Sequence, residues 1–458
     1  MMFLRSLLGW LFKPPSASAD ETAAAGVPGR PGSESEPPAA IVAVGRLDGT
    51  GGEAATARLL ALLERVKAVE VRRWDRVLKP TGPGNLAQKL LAAADLGRDW
   101  LTAEAVDLLI WGESDGQATT LRFLSAKADA EGRPGTFGLG DTLELPAALA
   151  DEIEPVLAAV TLAAAAAARE GQRYRLSLVL SEAADRANGF IEIPPQGLAP
   201  AQIATLLNAL GNALGMVYRL TKDMNRLRRS TEAFSAALAR CPREEAPLTW
   251  ALCQSHLAAN LEALSEANGS PEPLDAAAKA YQAVIDTLGR SSFPHDWALA
   301  QLRLGRVLHK KAAKLAGRAQ ELKEAVTAFE AAAQVITREA MPGRWGELQN
   351  EMGVALLALG EQVQGNAGLE LAAAAFRKSL EVRRRDLAPL LWAQTANNLG
   401  AATFALAKRT SDPVLLDEAH ACFLGAIEVF AKEGRTKTVY VIEKNLLRVE
   451  RLLQARAG

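Results

Sequence analysis

Four tryptophans, Trp250, Trp297, Trp345 and Trp392, stand 47, 48 and 47 residues apart. A fixed period of this size marks a stacked array, because a single helical unit can bury its apolar face only against a neighbour. The same grammar surrounds each ring. Pro247, Pro294, Pro342 and Pro389 precede it by three residues, and Leu257-Ala258, Leu304-Gly305, Met352-Gly353 and Leu399-Gly400 follow it by seven and eight. One period upstream of Trp250 lies Ile203, with Pro200 before it and Leu210-Gly211 after it, so the array has five units and the first lacks its Trp. A second ring series, Phe234, Tyr281, Phe329, Phe376 and Phe423, recurs at 47 or 48 residues. Two phased series imply two elements per unit.

Both elements read as helices. From Pro294 to Lys311, Trp297, Ala300, Leu304, Val307 and Leu308 recur at helical spacing, and Pro suits the first turn. The second helix places Ser230, Ala277, Ala325, Ala372 and Ala419 one turn before its ring, and Ala237, Val284, Ala332, Ser379 and Ala426 three residues after it. Small side chains beside a ring predict close helix packing. Trp297, Trp345 and Trp392 are expected to act as wedges between repeats.

Leu304-Gly305 and Leu399-Gly400, with Ala325-x3-Phe329 and Ala372-x3-Phe376, resemble the tetratricopeptide repeat family over residues 198–433. The usual unit of that family is shorter, and Gln254, Gln301 and Gln349 occupy the place of its Trp, so a long-repeat variant of about 47 residues is expected. The resemblance implies a right-handed solenoid that binds proteins on its concave, first-helix face. On that face it places Asn208, Ser255, His256, Arg303, Asn350, Glu351, Asn397 and Asn398 two or three residues before the small position, and Asn212 and Arg306 one residue after it. Amides can donate and accept, which suits a partner's backbone. Arg303, Arg306 and Lys310 share a helix face that would attract an acidic segment. The alternative is an ordinary solvated face. Arg383-Arg384-Arg385 reads instead as a complement to the negative end of a second helix.

Outside the array, residues 39–145 alternate strands and helices and predict a small α/β domain. Strands are expected at Ile41–Val44, Val69–Val71, Asp107–Trp111 and Thr119–Leu124, and helices at Glu53–Lys67 and Asn85–Leu96. Ile41–Val44 and Ala105–Glu113 resemble the TolB-like amino-terminal domains that precede helical repeats. Residues 146–197 should form a connecting helical hairpin that caps the array, although Tyr174–Leu180 also alternates as a strand would. Residues 434–458 should form a closing helix with Val439, Ile442, Leu446, Leu447 and Leu453 on one stripe. The fold class is therefore α+β multidomain, a small α/β domain followed by an all-α superhelical solenoid.

Residues 14–38, rich in Pro, Gly, Ser and Ala, read as a disordered tether. Met1 to Lys13 carry Phe3, Leu4, Leu7, Leu8 and Leu11 on one helical face, which fits an amphipathic anchor. A signal peptide ending at Ala17-Ser18-Ala19 and a partner-binding tail are the rivals. A net charge of −1 gives no pull toward nucleic acid. Three cysteines without motif spacing fit buried thiols in a reducing, cytoplasmic compartment, with contact to the inner membrane through the first 13 residues.

No arrangement points to catalysis, a cofactor or a metal: the four histidines are scattered, and neither His-Glu-x-x-His nor Cys-x-x-Cys occurs. Gly45 to Gly52 lies between a strand and a helix but lacks a phosphate-loop ending, and Asp48 and Glu53 would repel a phosphate. The expected function is a non-enzymatic scaffold or adaptor that binds a protein segment, with no nucleic acid. The rivals are a ligand-sensing regulator and an enzyme housed in the α/β domain.

Overall fold

The computed structural model describes residues 38–457 apart from 128–131, 147–150, 167, 169–172 and 315–318. The anchor expected at Met1 to Lys13, its signal-peptide rival and all but the last residue of the tether lie outside the described residues. The described residues form two compact units, one ending at Leu288 and the other beginning at Gly289.

The first unit opens with β1 (Ala40–Gly45), α1 (Gly52–Leu63), β2 (Val69–Trp74), α2 (Leu86–Ala103), β3 (Leu108–Ser114), β4 (Ala118–Ser125) and β5 (Leu143–Pro146). The sheet order is β2-β1-β3-β4-β5. β1 runs parallel to β2 and β3, with Val42 beside Val71 and Leu108, and β4 is antiparallel to both β3 and β5. Alternation sorts the faces. Val42, Val44, Leu108 and Ile110 pack with Leu59 and Leu63 of α1, whereas Ala43, Leu109 and Trp111 pack with Leu90, Ala94 and Leu101 of α2.

α3 (Glu154–Ala165) and α4 (Arg173–Ala187) form the expected hairpin, and α4 is a helix despite its alternating apolar residues. Every residue of α3 from Val156 to Ala165 is buried, as an Ala-rich helix that is apolar all round requires. It lies in the same core as the sheet and the helices α6 (Pro200–Thr221) and α7 (Met224–Leu238), with the short α5 (Gly189–Glu192) between α4 and α6. The sheet and the first repeat therefore share one core. α8 (Pro247–Asn268) and α9 (Glu272–Leu288) complete the unit.

The second unit holds α10 (Pro294–Lys314), α11 (Ala319–Ala333), α12 (Pro342–Gln362), α13 (Ala367–Leu380), α14 (Pro389–Thr410), α15 (Pro413–Lys432) and α16 (Thr436–Ala457). Within each unit consecutive helices pack neighbour to neighbour, so the molecule combines a small sheet domain with an all-α solenoid-like run of helix pairs. Each first helix begins at its expected Pro. The pairing device is a ring set on a glycine. Phe234, Phe329, Phe376 and Phe423 are fully buried, and a Cβ added at Gly211, Gly305, Gly353 or Gly400 would lie 2.6, 2.6, 2.7 or 3.0 Å from a carbon of the ring of its own repeat.

Two expected details differ. All four repeat tryptophans are half-buried rather than enclosed wedges, and Arg243, Arg338 and Arg385 lie over Trp250, Trp345 and Trp392 at 5.2, 5.9 and 5.0 Å from the ring centroids. In α16, Leu447 is exposed and Val449 takes its place beside Ile442 and Leu446, because a helix turns about 100° per residue and Leu447 falls off the stripe.

Candidate functional site

The array's first helices carry two polar clusters, one in each unit. In the first unit the centre is Asp141, in the β4–β5 connection and only 6% exposed. Asn208 of α6 donates from Nδ2 to Asp141 Oδ1 at 3.0 Å, and the Gly138 amide donates to Oδ2 at 2.7 Å. His256 of α8 brings Nε2 to 3.0 and 3.2 Å from the two carboxylate oxygens, its ring stacked on Phe234 at 5.4 Å. Asn212 Nδ2 lies 3.3 Å from the same nitrogen, while Asn212 Oδ1 has no partner. An Nε2–H donated to Asp141 leaves no lone pair for Asn212 to use, so the consistent amide orientation turns the Asn212 oxygen toward the ring. Burial alone would raise the Asp141 carboxyl, but His256, Gly138 and Asn208 outweigh it and hold the group below its ordinary value.

A close backbone approach seats this loop. Gly135 has φ +77°, and a Cβ there would stand 2.2 Å from the Met216 nitrogen, so only glycine lets the loop lie this close to α6. Of the residues expected to hold a partner, Asn208 and His256 are thus engaged with a carboxylate of the chain itself, and Asn212 lies against His256.

In the second unit, Arg344 and Arg306 reach Glu347 at 2.9 and 3.2 Å, and Arg306 Nε lies 3.8 Å from Glu351. Arg383, 8% exposed, donates from Nη1 to Thr395 Oγ1 at 3.0 Å. Thr395 and Asn398 each donate to Asn350 Oδ1 at 3.2 Å. Burial would raise the Glu347 carboxyl, yet Arg306, Arg344 and Arg383 hold it below its ordinary value. Burial also lowers the Arg383 guanidinium, against the opposing pull of Glu351 and Glu347.

The expected residues therefore separate. Asn350, Asn398 and Arg306 converge in this second cluster; Asn397 is buried with Oδ1 unpartnered; Arg303 and Lys310 are half-buried on α10. The amides expected to face a partner are buried, because neighbouring first helices close over them. The arginine triplet also divides. Arg383 turns inward, Arg384 pairs with Asp386 at 2.6 Å, and Arg385 pairs with Glu428 at 2.6 Å.

Sequence reasoning missed Asp141, Arg344, Glu347, Arg383 and Thr395. A signal existed for Arg383, which stands nine residues before its Trp, where the other repeats place Cys241, Leu288 and Ile336. Thr395 likewise interrupts a column of Leu206, Cys253, Ala300 and Leu348. Asp141 has no counterpart in the repeats and left no such mark.

Elsewhere the loop after β1 uses its own amides. Asp48 and Gly51 donate to Gly112 and Ser114 carbonyls at 3.0 Å, and Lys79 pairs with Asp48 at 2.7 Å. Burial pushes the Cys253 thiol well up and the Cys422 thiol up to about 12, which disfavours a thiolate at neutral pH. Among the described residues no group of three or more His, Cys, Asp or Glu could hold a metal ion, and no helix is long and apolar enough to cross a membrane. No protein-family model matches the chain, and no curated protein matches it.

Proposed function

We propose that the chain is a non-enzymatic scaffold or adaptor that holds an acidic segment of a protein partner on the first helices of its central repeats, in the manner of the tetratricopeptide repeats it resembles. The observation that carries the reading is Asp141, a carboxylate received by Asn208 of α6 and His256 of α8. First-helix side chains of adjacent repeats thus accommodate an acidic group delivered from elsewhere. α10 carries Arg303, Arg306 and Lys310 on one helix face, and Arg306 stands near Arg344, Glu347 and Glu351.

Arg306 is paired with Glu347 and Glu351, and reversing it would crowd three carboxylates together, so the informative reversal is at Arg303 and Lys310. The full chain with Arg303→Glu and Lys310→Glu should lose at least tenfold in affinity for an acidic peptide while keeping its helical circular dichroism. Wild-type affinity should fall as salt rises from about 0.05 to 0.5 M, since the screening length shrinks severalfold. Unchanged affinity in both comparisons would reject the reading.

A further inference from the structure

We infer that the outer face of α16 is a docking surface for an anionic lipid bilayer. Steps of three and four residues place Lys437, Tyr440, Lys444, Leu447, Arg448 and Arg451 on one side of this helix. The opposite side holds Ile442, Leu446 and Val449, which pack with Phe423, Ala426 and Val429 of α15. All six outer residues are exposed, Tyr440 at 59% and Leu447 at 51%. The Lys444 ammonium lies 4.1 Å from the Tyr440 ring centroid, and Arg448 Nη1 donates to Asn445 Oδ1 at 3.4 Å. The two carboxylates of α16, Glu443 and Glu450, stand together on one flank, where Glu450 meets His420 at 3.5 Å. Four cations thus share a helix face with no carboxylate between them.

The last helix of a stacked array needs a polar outer face to stay soluble, but that face can mix both signs and omit large apolar groups. On α16 the charge has one sign, and a ring and an aliphatic side chain stand among the cations. A second copy of the chain would set these four cations against their like across a two-fold axis, which repulsion opposes. An extended acidic segment is held in a groove or along a sheet edge, and the outside of a single helix offers neither. A bilayer leaflet is flat, its anionic headgroups attract Lys and Arg, and its interface takes up Tyr and Leu side chains. α16 would lie along that surface, with Tyr440 and Leu447 entering the headgroup layer and the cations at the level of the phosphates.

The test is co-sedimentation of the full chain with vesicles of phosphatidylcholine alone or mixed with phosphatidylserine. The wild type should bind the mixed vesicles at least about tenfold more tightly than the neutral ones, and less tightly as salt rises. Lys444→Glu with Arg451→Glu should abolish that preference. Tyr440→Ser with Leu447→Ser should weaken binding to the mixed vesicles by about three- to tenfold. Both variants should melt like the wild type, because the side chains are exposed. Arg303→Glu with Lys310→Glu should keep the preference, which separates this face from the partner surface on α10. Equal binding to the two vesicles would overturn the inference. So would a preference that survives Lys444→Glu with Arg451→Glu, which would return membrane contact to Met1 to Lys13. Vesicle binding absent from the wild type, with capture of a capped tetra-aspartate peptide lost in that same variant, would overturn it in favour of a protein segment.

Discussion

Single buried ionisable side chains set how this fold responds to pH. His309 of α10 is 4% exposed, and burial lowers its pKa to about 4 from 6.5. The imidazole is therefore kept neutral in the folded chain. Its contribution is fully present above the unfolded pKa near 6.5 and is lost as pH falls toward 4, by roughly 3 kcal/mol over that window. His309→Leu, which matches Leu357 in the next repeat, should flatten the melting profile between those pH values. An unchanged slope would show that another group carries it. Asp141 has the opposite chemistry but a loss on the same side. Its folded pKa is depressed, so its contribution holds above the unfolded carboxylate range and disappears as pH falls through the folded value. Asp141→Ala leaves His256 and Asn208 without their acceptor in a buried setting and should cost about 3–5 kcal/mol at pH 7, read from denaturant unfolding. A cost below about 1 kcal/mol would mean that the loop is held by its backbone alone.

At the scale of the helix pair, the ring on glycine is the unit of construction. Gly353→Ala would push a methyl to 2.7 Å from Phe376, an overpacking worth about 1–3 kcal/mol. Gly343→Ala, near the start of the same helix, meets nothing within 4 Å and should stabilise by about 0.5–1 kcal/mol. Equal effects of the two substitutions on the melting midpoint would refute the pairing device. Much of this level was legible in the sequence, because a ring and a small residue recurring in phase leave few ways for two helices to meet. The tryptophans were legible in place but not in role: nothing in their spacing says that Arg243, Arg338 and Arg385, seven residues upstream, fold back over the outer face. β5 escaped notice because it has four residues, too few for alternation to register. The site was the least legible level. Asn208, Asn350 and Asn398 stand where the repeat phase put them, but Asp141, the partner of Asn208, comes from a loop outside the repeats that periodicity does not describe.

For the whole molecule, the sheet, α1, α3, α6 and α7 share one core, so residues 39–145 lack α3, which joins α1 in covering this face and is the helix on β4. A fragment of residues 38–288 should unfold cooperatively, whereas 39–145 alone should expose Val42, Ile110 and Leu121 and aggregate. A soluble, cooperatively melting 39–145 fragment would show that the sheet is self-sufficient. The proposed role of the first helices of the central repeats in receiving an acidic segment is read out by hydrogen exchange of the full chain with and without a capped acidic peptide. Protection is expected on α10, α12 and α14 and should vanish with Arg303→Glu and Lys310→Glu. Protection confined to the strands and the loop after β1, or none anywhere at saturating peptide, would contradict the claim and return the binding function to the α/β domain.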